Sequence, residues 1–142
     1  MGHGLGSVVT MKLALAGGYN AAILEAGYPD TGDLASLPGL RGMPTLSLAG
    51  SSDCSAKLAD VQKGWGSLAP PSALVVLDGV THYQFTDSQA EDEAKCAPTA
   101  KLEDAHAEME QAMISFLSAA LTDAGVNGPE LELVPNATVE TK

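Results

Sequence analysis

The chain has 142 residues, 45 % of them apolar, with seven Lys plus Arg against eighteen Asp plus Glu for a formal net charge of −11. A chain of this length buries roughly 68–70 % of its unfolded surface, so a single self-sufficient globular domain is expected, and the apolar content excludes a disordered acidic tail. So few bases in such an acidic excess argue against a nucleic-acid partner and against an anionic membrane surface, and no apolar run reaches the ~20 residues that a bilayer span demands.

The opening stretch Met1-Gly2-His3-Gly4-Leu5-Gly6-Ser7 lacks the basic start and long apolar core of a signal peptide, and it runs directly into helical material with no strand expected ahead of it. Over residues 7–16, Val8, Val9, Met11, Leu13 and Leu15 leave few polar positions and Gly17-Gly18 supplies a stop, which predicts a buried helix. Three short apolar runs follow, at 21–26, 45–49 and 73–77, each bounded by Gly or Pro. Such runs fit strands buried on both faces of a parallel sheet. Between the second and third runs, Leu58, Val61 and Trp65 recur at helical spacing, so a crossover helix is expected over 56–65. Leu102, Ala105, Met109, Met113, Phe116, Leu117 and Ala120 mark a long amphipathic helix that ends by Gly125. No internal repeat or low-complexity tract interrupts this order. The pattern predicts an α/β domain over residues 1–125, with about three parallel strands, crossover helices and a long C-terminal helix. Residues 126–142 are expected to be a loosely ordered tail, with at most a short edge strand at 131–134.

Ligands of open parallel sheets bind beyond the carboxyl ends of the strands, which directs attention to three Gly-bearing turns. They are Gly2-His3-Gly4-Leu5-Gly6, Gly50-Ser51-Ser52-Asp53 and Gly79-Val80-Thr81-His82. Taken in that order they resemble the α/β-hydrolase family, whose nucleophile elbow reads Gly-x-Ser-x-Gly and whose triad runs Ser, acid, His along the chain. Gly2 and Gly6 match the elbow glycines, and His3 stands at the first x. The chain is most similar to compact esterases of the dienelactone-hydrolase, chlorophyllase and cutinase type, over residues 2–121. The resemblance implies Asp53 as the triad acid, His82 as the general base and the Leu5 backbone N–H as an oxyanion donor. Asp30 and Asp33 are rival acid positions, because some members place the acid one strand earlier. It also implies carboxylic-ester hydrolysis for the lineage, with no cofactor.

At the nucleophile position, however, the sequence has Gly4. Glycine has nothing to acylate, so the covalent route of the family is closed to it. Ser7 lies one helical turn on and is expected to point elsewhere, which leaves a water activated by His82. The alternative reading is a non-catalytic module that binds a small ester or carboxylate, or a truncated gene product. The family carries further strands and a second oxyanion loop ahead of its elbow, so the sequence is expected to match the C-terminal half of such a domain. That half would expose a sheet edge, and pairing of two copies through it is an expected consequence.

Each of these residues also has a plainer use. Asp53 can cap the helix that follows, His82 can be an ordinary loop residue, His3 a neighbour of the elbow and His106 part of a polar helix face. The three histidines have no zinc-site spacing, so no metal is expected. Cys54 and Cys96 form no C-x-x-C pattern; if the acid and base loops meet, a bridge between them becomes feasible and would imply an oxidising compartment, with secretion. Asn136-Ala137-Thr138 fits a glycosylation acceptor. The acidic run from Asp87 to Glu110 reads as a solvated face that disfavours anionic substrates.

Overall fold

The computed structural model describes residues 1–29, 42–87, 96–122 and 133–142. Apolar runs without alternation can be satisfied only where helices cover both faces of a sheet, and that is the arrangement adopted. In chain order the elements are β1 (Gly2–His3), α1 (Leu5–Ala16), β2 (Ala22–Glu25), β3 (Thr45–Gly50), α2 (Leu58–Gly66), β4 (Ser72–Leu77), a short 3-10 turn (Tyr83–Phe85), α3 (Leu102–Leu121) and β5 (Ala137–Thr141). The sheet order is β1-β2-β3-β4-β5; the first four strands run parallel and β5 is antiparallel to β4.

Side chains alternate between the two faces. Ile23, Leu46, Leu48, Val75 and Leu77 pack on Ala105, Met109, Ala112 and Phe116 of α3. On the other face Leu24 meets Met11 and Ala14 of α1, while Ala49 and Leu74 meet Val61 of α2. The result is an α/β fold with a mostly parallel sheet between helices, as the element pattern predicts. Every residue of β2 and β3 is buried, which explains why neither shows a polar alternation in the sequence.

Two expectations are corrected. Five strands form where about three were expected, because Gly2–His3 pairs with Leu24 and Glu25, and because part of the supposed tail is a strand. Ala137–Thr141 runs along β4, with Val75 opposite Val139, and Lys142 and Ser72 exchange backbone hydrogen bonds of 2.9 and 3.0 Å just beyond it. The physical cause is the free edge of β4, whose N–H and C=O groups need a partner that a two-residue polar/apolar alternation is enough to supply. The Lys142 ammonium then donates to the carbonyls of Trp65 and Gly66 at the end of α2 and lies 4.6 Å from the centre of the Trp65 ring. Leu133 and Val134 are not in the strand; residues 123–132 lie outside the described residues.

Candidate active site

β1 to β4 run parallel in that order, so the three turns singled out above, after β1, β3 and β4, all lie at the carboxyl end of the sheet. The first turn is a strand–turn–helix elbow. Gly4 caps α1 with φ 54° and ψ −120°, its N–H donates to the Glu25 carbonyl at 2.8 Å, and its own carbonyl accepts from Ser7 N–H at 3.0 Å. That positive φ is costly for any residue with a Cβ. Gly27 serves close approach instead: a Cβ there would collide with the Gly4 carbonyl and the Ser7 hydroxyl, both 2.5 Å away.

Asp53 is buried and divides its carboxylate between two tasks. Oδ1 accepts the backbone N–H groups of Ser55 and Ala56 at 2.8 and 2.7 Å, and Oδ2 accepts from His82 Nδ1 at 2.9 Å. Oδ1 therefore braces the loop ahead of α2 while Oδ2 holds His82; the expected helix cap is corrected, because α2 starts only at Leu58, with Lys57 at its N-cap and no side-chain cap. Because Nδ1 carries the proton in this bond, Nε2 of the neutral ring has a free lone pair, and a Cβ built on Gly4 would stand 3.2 Å from it. The imidazole is thus oriented at the elbow by a carboxylate behind it.

His3 touches this assembly from the side. Its Nε2 donates to the His82 carbonyl at 3.0 Å, and its ring lies 4.5 Å from that of His82 and stacks on Phe85 at 6.2 Å. Burial lowers its pKa below 6.5; the hydrogen bond to the His82 carbonyl opposes that shift. Ser7 is fully buried and gives its hydroxyl to the Gly2 carbonyl at 2.9 Å, so it points away from His82. Cys54 and Cys96 form a disulfide across 42 residues with Cα atoms 5.3 Å apart, tying the acid loop to the segment ahead of α3.

Other supports carry no signal in the sequence. Buried Gln84 accepts the Thr81 N–H at 2.9 Å and donates to the Ala100 carbonyl at 2.8 Å, which braces the His82 turn against the start of α3. Ser52 N–H donates to the Val80 carbonyl at 3.0 Å and joins the acid turn to the base turn. Only the contacts reveal these roles, since a Gln, a Thr and a Ser in loops have no distinguishing spacing.

A cavity of about 300 Å³ opens at the elbow, lined by Gly4, Leu5, Val8, Tyr28, Ala56 and His82 among others. Leu5 is the first residue of α1, where a backbone N–H has no intrahelical partner. Asp30 and Asp33 lie outside the described residues. His106 sits on α3 beside a different cavity. Asn136 donates its side-chain amide to Glu108 at 2.8 Å. Among the described residues no three His, Cys, Asp or Glu side chains gather into a metal-binding group, and no helix is long and apolar enough to cross a membrane.

Neither models of known protein families nor curated proteins match this sequence.

Proposed function

We propose that the chain is built on the α/β-hydrolase plan of carboxylic-ester hydrolases, with Asp53 and His82 as its acid and base and Gly4 in place of the nucleophile. The site then binds a small ester or carboxylic acid without forming an acyl-enzyme. The observation that carries this reading is the direction of His82: its free Nε2 lies 3.2 Å from the point where a side chain on Gly4 would begin.

The chemistry open to these residues is limited and definable. A water in the space beside Gly4 would donate one proton to His82 Nε2 while its oxygen attacks an ester carbonyl, and the Asp53 carboxylate would stabilise the imidazolium formed. The oxyanion would face the Leu5 N–H at the start of α1, where the helix dipole favours negative charge. Collapse of the tetrahedral species returns the proton from Nε2 to the leaving alkoxide. Without a tethered nucleophile the rate gain of a two-step route is lost, so turnover is slow or nil and ligand binding predominates. The largely apolar cavity with a single imidazole suits a neutral ester or a protonated acid. The Cys54–Cys96 bridge supports an oxidising compartment.

The test restores the missing atom. Wild type and Gly4→Ser are treated with a fluorophosphonate probe and assayed with a short-chain p-nitrophenyl ester. Wild type is expected to stay unlabelled, whereas Gly4→Ser is labelled and gains turnover that a further His82→Ala removes. Rapid wild-type turnover that His82→Ala abolishes overturns the proposal, and so does a folded Gly4→Ser protein that the probe leaves unmodified.

A further inference from the structure

Three carboxylates are buried among the described residues, and two of them have side-chain partners. Asp53 holds His82, and Glu108 accepts the Asn136 amide. The third, Glu25 at the carboxyl end of β2, is 8 % exposed, and among the described residues its carboxylate has no hydrogen-bond or ion-pair partner. Its backbone carbonyl accepts from the Gly4 N–H and from the Ser7 hydroxyl.

The Glu25 side chain lines a cavity of about 200 Å³ on the α3 face of the sheet, separate from the cavity at the elbow. Phe85 forms one wall, and Met109 and Met113 of α3, four residues apart and so on one helix face, form another. Asp87 and His106 are the other titratable groups on the lining, and the Met1 amino group acts on Glu25 through space. Burial pushes the Glu25 pKa above 4.5, the Met1 amine opposing it.

A largely desolvated carboxylate that accepts no hydrogen bond is costly unless it holds a proton or meets a cation. The walls decide which cation. A hard divalent ion requires several oxygen ligands gathered at one point, and among the described residues no three His, Cys, Asp or Glu side chains gather so, whereas beside Glu25 and Asp87 this cavity offers an aromatic ring and two thioethers. Those groups suit the alkyl part and the diffuse charge of an organic ammonium ion, which an aromatic face attracts and a flexible thioether packs against. Glu25 and Asp87 together repel an anion. We propose that this cavity binds a small organic ammonium ion, with the Glu25 carboxylate as its counter-ion and Phe85, Met109 and Met113 enclosing its alkyl portion. At about 30 Å³ per water-sized group, the volume admits roughly six heavy atoms, about the size of a butylammonium ion.

The test titrates the full chain with butylammonium chloride while following the methyl resonances of Met109 and Met113 by NMR. Wild type is expected to show saturable shifts at both methyls, and Glu25→Gln to bind at least tenfold more weakly. Butanol, uncharged and of equal size, serves as a control that needs no variant: it is expected to bind wild type at least tenfold more weakly than butylammonium. The proposal fails if butylammonium does not saturate these resonances, if Glu25→Gln binds it as well as wild type does, or if butanol matches it in wild type. None of these outcomes depends on Gly4 or on ester turnover.

Discussion

At the residue scale, three side chains and one absent side chain define the candidate site. Gly4 holds a backbone conformation that a residue with a side chain would adopt only under strain of about 1–3 kcal/mol, so glycine relieves this turn. Asp53 and His82 were legible as candidates because each follows a buried strand in a Gly-bearing turn. The contacts of His3 were not, since nothing in the sequence says that its ring packs against those of both His82 and Phe85. Its environment sets a pH dependence. The folded-state pKa lies below the ordinary 6.5, so the unfolded chain takes up this proton first as the pH falls. The stability it contributes is therefore complete above pH 6.5 and declines from there through the lowered folded value. Urea midpoints measured from pH 8 to pH 5 should fall more steeply in wild type than in His3→Gln, whose amide can still donate to the His82 carbonyl; equal slopes would contradict this.

At the element scale, the parallel strands create the site by ending together, and the connections after them decide what stands there. The loop after β3 brings Asp53 and the turn after β4 brings His82. The Cys54–Cys96 bridge then restrains the acid loop from the other side. Closing a loop of 42 residues in the unfolded chain corresponds to about 4 kcal/mol in the chain-entropy model. Replacing both cysteines with serine should lower the unfolding free energy by an amount of that order, measured by denaturant titration, and reduction of the wild type should reproduce it. A loss below about 1 kcal/mol would mean that the unfolded chain is already restrained there. Element type and order were readable from apolar runs and Gly or Pro boundaries. The pairing of Ala137–Thr141 with β4 was not, because a five-residue stretch with one strongly apolar side chain becomes a strand only when an unpaired edge is available.

At the scale of the whole molecule, the net charge of −11 on a 142-residue chain works against compactness, since like charges lie closer together when folded. Screening by salt shortens the range of that repulsion to about 10 Å at 0.1 M and about 3 Å at 1 M. The thermal midpoint should therefore rise between 10 mM and 0.5 M sodium chloride, and a midpoint that fell would show attractive ion pairs outweighing the repulsion. The sequence by itself determined the α/β class, the succession of buried strands and covering helices, and the candidacy of Gly4, Asp53 and His82, because periodicity, glycine placement and side-chain chemistry are local properties. Only the tertiary structure decided that one Asp53 carboxylate both braces a loop and orients His82, that Ser7 is turned inward, and that the Glu25 carboxylate faces a cavity with no hydrogen-bond partner among the described residues. Each of those depends on which distant backbone or side chain comes within hydrogen-bond reach, and that distance is set by the sheet, not by neighbours along the chain.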